Sequence, residues 1–228
     1  MSDRMTATPS PLGRPVGASG EHTRARIIAA AMRCVAEVGY SKATIREIAK
    51  AADMTSGSLY HYFPNKSALL AATAREIDEI TSARLRAAAA QSGDAVDRLE
   101  AVLDEIERLM REYPYLAAFD RVMRAERTAR PRGGRARNPG SKALRDIIDE
   151  ILEDALARKA LPPATDPGAA VNAIYALARG LTERAANLTP DAYAATVASA
   201  KKLIRGTLFA PQASRRGSTA QRRSRRDL

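Results

Sequence analysis

The chain has 228 residues, 45% of them hydrophobic, which is enough for a substantial core and excludes wholesale disorder. Aromatic residues make up only 4% and tryptophan is absent, so the core must consist mainly of alanine, leucine, isoleucine and valine. The net charge of +11 suits a polyanionic partner, either nucleic acid or an anionic membrane surface.

Several classes of protein are excluded by features that the sequence lacks. No stretch approaches the roughly 18 consecutive apolar residues of a membrane span, and no signal-peptide core is present. The single cysteine, Cys34, cannot form an intramolecular disulfide. Metal-ligand clusters, phosphate-binding glycine loops and nucleophile elbows are also absent. We therefore expect a cytoplasmic protein that is not an enzyme and needs no metal or cofactor.

The first predicted elements are an arm and a helix. Residues 1–21 are rich in proline, glycine, serine and threonine, which predicts a disordered arm. Apolar residues recur at helical spacing from Thr23 onwards, and Gly39 ends that helix. Residues that favour the start of a helix then precede a series of further helical patterns: Thr44, Thr55, Asn65, Asp94, Pro114, Ser141, Asp166 and Thr189.

Two segments do not fit helices. Residues 130–140 contain two prolines and three glycines, which predicts a loop. Residues 211–228 contain six arginines and predict a basic, disordered tail. No segment alternates apolar and polar residues as a strand would. The prediction is an all-α fold of about nine helices.

Residues 44–66 contain the motif that indicates function. A short capped helix over residues 44–52 is followed by Asp53 and Met54 and then by a second short helix from Thr55, which is a helix-turn-helix arrangement. In DNA-binding units of this kind the second helix enters the major groove. Geometry alone leaves open that this is an ordinary helix pair.

The residue types in and around this motif favour DNA binding. Small residues at the start of the second helix would let the backbone approach DNA, and three ring side chains follow them. The helix starts near Thr44 and Lys66 would offer free amides to phosphate groups. The predicted DNA-contacting residues are Lys42, Thr44, Arg46, Thr55, Ser56, Gly57, Ser58, Tyr60, His61, Tyr62 and Lys66.

Residues 23–70, about a fifth of the chain, closely resemble the N-terminal domain of the TetR family of transcriptional regulators. Asp53, Met54 and Thr55 depart from the Gly-Val-Ser that the family often has at this turn. Asp53 can adopt a left-handed conformation almost as glycine does, and Thr55 can cap a helix as serine does. The residues that match are Gly39, Tyr40, Thr44, Ile45, Ile48, Ala49, Gly57, Leu59, Tyr60, Tyr62, Phe63, Lys66, Leu69 and Leu70.

The resemblance implies a helix-turn-helix domain over residues 22–68 and a helical effector-binding and dimerisation domain over residues 69–210. It also implies a homodimer that binds a palindromic operator and is released by a small apolar effector, most simply as a repressor. The middle helices would enclose the effector. The candidate effector-binding residues are Met110, Tyr113, Phe119, Met123, Asn172, Tyr175 and Arg179.

The last two helices would form the dimer interface in this family. Their apolar faces could instead complete the core of a single chain. The predicted interface residues are Val171, Ile174, Ala178, Leu181, Tyr193, Val197, Ala200 and either Leu203 or Ile204.

Other functions remain open at this stage. The basic tail and a second basic segment, residues 124–137, would also suit a non-specific architectural DNA-binding protein. An activator would use the same DNA contacts as a repressor. The sequence names neither the operator nor the effector.

Overall fold

The computed structural model describes residues 16–91, 93–129 and 139–209. Over these residues it consists of nine α-helices without any strand, which confirms the all-α prediction. None of the described helices is both long enough and apolar enough to cross a membrane. The helices are α1 (Val16–Lys42), α2 (Ile45–Ala51), α3 (Ser56–Tyr62), α4 (Lys66–Ala89), α5 (Ala95–Glu112), α6 (Leu116–Ala129), α7 (Pro139–Ala157), α8 (Pro167–Ala185) and α9 (Pro190–Ile204).

Helix α1 differs from its prediction at both ends. It begins at Val16, within the segment 1–21 that was predicted to be disordered. Gly17 and Gly20 lower the helix propensity of this stretch, which is why the sequence indicated a later start. At the other end Gly39 leaves the helical region (φ 81°, ψ 168°), as predicted, but helical structure resumes and continues to Lys42.

Side-chain caps define most of the other helix starts. Glu47 N donates to Thr44 Oγ1 at 3.2 Å, and Ala68 N donates to Asn65 Oδ1 at 2.8 Å. The predicted cap at Ser141 is wrong, because α7 already begins at Pro139. Caps form as predicted at Thr44, Thr55, Asn65, Asp166 and Thr189, and Asp94 caps α5 at the boundary that the sequence indicated.

One hydrophobic core runs through both halves of the chain. Helix α1 packs on α2, α4 and α6, and α4 packs on α5 and α7. The buried residues of the helix-turn-helix, such as Val35, Ile48 and Leu59, belong to the same cluster as Leu103 and Ile151 further along the chain. Helices α1 and α4 therefore connect the N-terminal unit with the rest of the bundle.

Helices α8 and α9 turn their apolar faces inward, toward the same chain. Helix α8 packs on α5, α6 and α7, and α9 packs on α5. Neighbouring helices of the same chain therefore cover six of the residues that were predicted to line a dimer interface, while pairing through the last two helices stays a prediction. The buried members are Val171, Ala178, Leu181, Tyr193, Val197 and Ala200, whereas Ile174 and Ile204 are half-buried and Leu203 is exposed.

Several predicted segments lie outside the described residues. They are residues 1–15 of the arm, residues 130–138 of the loop and of the basic segment 124–137, and the whole of the tail 211–228.

Candidate DNA-binding site and effector cavity

The turn between α2 and α3 has the backbone conformation that the sequence predicted. Asp53 adopts φ 54°, in the left-handed region, and Met54 N donates to Ala49 O at 2.9 Å. Ile48, Ala49 and Leu59 are buried beneath the turn. The angle between the two helices is thus fixed by backbone hydrogen bonds on one side and by packing on the other.

One face of α3 is open to solvent. Tyr60 and Tyr62 are 56% and 55% exposed, although aromatic side chains usually contribute to a core. The Thr55 and Ser58 hydroxyl groups are 2.9 Å apart, and Thr55 Oγ1 also accepts from Ser58 N. The structure brings together on this face Thr55, Gly57, Ser58, Tyr60, His61 and Tyr62, with Ser56 half-buried beside them.

The start of α2 is exposed, but its cap residue is already engaged. Thr44 donates to Glu47 Oε2 from its amide at 3.0 Å and from its hydroxyl at 2.9 Å. The sequence predicted a free amide at Thr44 for a phosphate group. This prediction is wrong, because the capping-box carboxylate already accepts a hydrogen bond from that amide. Lys42 and Arg46, which flank the cap, are exposed and remain candidates for phosphate contact.

Lys66 has a structural role that the sequence did not indicate. Its ammonium group donates to Tyr40 O at 2.8 Å and Ser41 O at 3.2 Å, and it lies 4.9 Å from the centroid of the Tyr40 ring. It thereby binds the last carbonyls of α1 to the start of α4. An ammonium group has three N–H donors, so one remains for a phosphate.

A cavity of about 90 Å³ lies inside the bundle, between α4, α5, α6, α7 and α8. Four of the seven candidate effector-binding residues line it: Met110, Phe119, Met123 and Arg179. The cavity walls also contain polar side chains that are not among the seven candidates: Asp78, Thr81, Asp120, Arg127 and Thr182.

Three candidate effector residues lie elsewhere. Tyr113 caps the end of α5 and lines a surface groove against α1, and burial raises the pKa of its hydroxyl. The ring of Tyr175 is half-buried, with the Arg145 guanidinium 5.9 Å from its centroid. Asn172 is exposed on α8. Helical spacing identified the correct helices in these cases but not the faces that point inward.

Charged side chains connect two walls of the cavity. Asp120 on α6 interacts with Arg124 at 3.0 Å and with Arg179 of α8 at 3.4 Å. Arg124 also donates to Glu183 of α8 at 3.2 Å. Asp120, Met123 and Arg127 are three or four residues apart, so they share one side of α6. This spacing around Met123 could have identified Asp120 and Arg127 as polar residues that line the cavity.

The comparisons with known proteins agree with the geometry of this N-terminal unit. Residues 27–73 match the family model described as bacterial regulatory proteins, tetR family. The chain is 34% identical over 170 residues to the HTH-type transcriptional repressor Rv1474c of Mycobacterium tuberculosis, covering 62% of this chain and 86% of that protein. It is 35% identical over 94 residues to the repressor KstR of Rhodococcus jostii, covering 41% of this chain and 43% of KstR.

Solved structures share the fold beyond the N-terminal unit. The transcriptional regulator FadR from Bacillus subtilis, in complex with stearoyl-CoA, superposes with a TM-score of 0.64 at 22% identity. That superposition covers 81% of this chain and 97% of the other. At this level of identity the likeness establishes the fold of the bundle and nothing about its ligand.

Proposed function

The chain belongs to the TetR family of bacterial regulatory proteins, which are DNA-binding transcriptional regulators and not enzymes; from this premise we propose that it is a homodimeric repressor of a palindromic operator, released by a small effector. The observation that carries the proposal is the solvent-exposed face of α3. Its hydroxyl and ring side chains stand on a helix whose other side is anchored by buried Leu59.

On this proposal α3 enters the major groove and its flanks bind the backbone of the DNA. Residues 55–58 and His61 contact the groove, whereas Tyr60 and Tyr62 contact sugar and phosphate groups. Lys42 and Arg46 at the start of α2, and the remaining donor of Lys66, add charge beside the phosphates. The division into residues 22–68 for DNA binding and 69–210 for effector binding and dimerisation is then one of function, since the core is continuous.

The test is a selection of bound sequences from random duplex DNA with the full chain, followed by binding titrations. We expect a palindromic sequence to be enriched. Tyr60→Ala should weaken binding to it by about tenfold, which corresponds to one lost contact of about 1.4 kcal/mol. Tyr115→Ala, which removes another exposed tyrosine outside the helix-turn-helix, is the matched control. Enrichment of no sequence would support a non-specific architectural protein instead, and unchanged binding by Tyr60→Ala would contradict the role of α3.

The cavity supports release by an effector. Its volume of about 90 Å³ is well below the roughly 300 Å³ of a small-molecule pocket, so a ligand must push its walls apart. Two of the walls lead to the DNA-binding unit, because α4 begins beside α3 and α6 packs on α1. A ligand that widens the cavity would therefore favour a conformation with a different spacing of the two recognition helices. FadR, whose fold is similar, has been solved in complex with the ligand stearoyl-CoA.

A cavity-filling substitution tests the proposed route of release. Met123→Phe adds volume at the cavity wall, and we expect it to bind operator but to resist release by any effector recovered from a metabolite panel. Met123→Leu, which keeps the volume similar, should respond as the parent does. Full release of Met123→Phe would place the effector somewhere other than this cavity.

A further inference from the structure

The body of any molecule that binds in the bundle cavity must be apolar. Side chains from four helices form most of the wall, and they are aliphatic, thioether or aromatic. The apolar lining includes Ile77, Leu85, Ile106, Leu116, Phe119 and Leu144. A polar ligand body would lose its hydration here without gaining partners, and such groups are costly to bury.

The charged side chains in the same wall differ in whether another group of the protein pairs with them. The Asp120 carboxylate is paired with both Arg124 and Arg179. Asp78, on the α4 wall, also has an interaction within the protein. Arg127, one turn beyond Met123 on α6, is half-buried and lines the cavity, yet no hydrogen bond or ion pair engages its guanidinium group in the described part of the chain.

We propose that the effector is an apolar molecule ending in a carboxylate, and that Arg127 binds this carboxylate. The inference rests on the proposed function and names the chemical class of the effector. A guanidinium group offers parallel N–H donors that match a carboxylate, and such a pair is stronger than a neutral hydrogen bond. A cationic ligand would find both cavity carboxylates already engaged, and a neutral one would leave Arg127 unpaired.

The experiment compares acids with alcohols on the full-length chain. Binding of octanoate, decanoate and dodecanoate is measured by calorimetry, each against the alcohol of the same chain length. For the parent we expect the acid to bind at least about tenfold more tightly than its alcohol, and Arg127→Gln should remove most of this preference by weakening the acid. Arg121→Gln removes an equal charge from the exposed side of the same helix, so it controls for general attraction to the basic protein.

The outcomes separate this inference from the proposed function. Equal affinity for acid and alcohol in the parent, failure of both to bind, or equal losses in Arg127→Gln and Arg121→Gln would each overturn it. A different class of effector that releases operator DNA, and that Met123→Phe blocks while Arg127→Gln does not, would overturn the inference and leave the proposed function standing. Tight operator binding that no effector of any class reverses would contradict the effector role itself.

Discussion

Gly57 lies in the first turn of α3, where no contact among the described residues requires a glycine. A Cβ atom built at this position would have Thr55 Oγ1, at 3.8 Å, as its nearest neighbour. Alanine there would raise the helix propensity by up to about 1 kcal/mol. We expect Gly57→Ala to unfold at the same or a higher temperature than the parent but to bind operator at least about tenfold more weakly, because the methyl group would meet DNA.

Gly20 supplies the matched control for this prediction. It lies in α1, outside the helix-turn-helix, and a Cβ there would have no neighbour within 4 Å among the described residues. Gly20→Ala should therefore keep the operator affinity of the parent. Thermal unfolding and fluorescence anisotropy with labelled operator measure the two effects separately. Parent-like DNA binding by Gly57→Ala would show that the backbone of α3 does not approach DNA at this point.

Tyr193 is a buried side chain whose hydroxyl has no hydrogen-bond partner in the described structure. Burial, together with the charge of Glu107, raises the pKa of this hydroxyl to about 12. A buried, unsatisfied polar group is unfavourable, so we expect Tyr193→Phe to raise the free energy of unfolding at neutral pH by up to about 1 kcal/mol. Urea unfolding monitored by circular dichroism measures this difference.

The same substitution should change the response of the protein to alkali. Because the folded pKa of Tyr193 lies above the unfolded value of about 10, the folded state holds the proton more tightly. This contribution to stability is present below about pH 10 and is lost as the pH rises through about 12. The parent should therefore lose stability more steeply than Tyr193→Phe across that window. A variant less stable than the parent at neutral pH would indicate that the hydroxyl has a partner, for example in a dimer.

Helix α9 is held on α5 by ion pairs as well as by its apolar face. Arg205, just after α9, lies 2.8 Å from Asp97 and 2.8 Å from Glu100, and Lys201 lies 2.8 Å from Asp104. Hydrogen bonds from Arg205 lower the pKa values of both Asp97 and Glu100. Their contribution to stability is therefore present above their ordinary values of 3.8 and 4.5, and is lost as the pH falls through the lower folded values.

Arg205→Gln should accordingly lower the melting temperature at neutral pH, with the difference from the parent shrinking as the pH falls below about 4. The effect should be modest and should decrease in salt, because the Arg205 and Asp97 side chains are exposed, although Glu100 is more buried. Arg86→Gln removes an exposed arginine of α4 that forms no ion pair with the described residues, and it serves as the control. Thermal scans across pH give the comparison. If the melting temperature of Arg205→Gln is lower than that of the parent by the same amount at every pH, Arg205 stabilises the protein through packing and not through its charge.

The predictability of each element from sequence depended on how local its determinants are. Thr44, Asp94 and Thr189 mark helix starts through contacts with residues three positions away, so the sequence contained the whole interaction. The capping of α1 by Lys66 joins residues far apart in the chain, and no local pattern specifies it. Helical spacing within α6 is a local pattern, and Met123 lines the cavity as this spacing predicts. Tyr175 does not line it, because the orientation of α8 depends on contacts between distant helices.

At the scale of the whole molecule, the inward faces of α8 and α9 are buried, so we expect two chains of the proposed dimer to pair through the outward faces. These faces carry small, exposed residues: Ala173, Ala176 and Gly180 on α8, and Ala195, Ala198 and Ser199 on α9. A glycine inside a helix lowers stability by about 0.5–1 kcal/mol relative to alanine, and a Cβ at Gly180 would meet nothing within 4 Å in the described part of its own chain. Close approach of a partner helix would account for this glycine, so we expect the dimer interface on the outward side of these helices, opposite to the six predicted interface residues that are buried.

Gly180→Arg tests this arrangement, because a long charged side chain would separate two helices that pack through small residues. We expect the variant to fold but to sediment as a monomer at concentrations where the parent is a dimer. Its operator affinity should fall by well over tenfold, since one chain can bind only one half-site. Ala87→Arg adds the same charge to an exposed position of α4 and should remain dimeric. If Gly180→Arg sediments as the parent does, the two chains must associate through another surface, and the spacing of the half-sites recovered in the operator selection would then have to be explained from that surface.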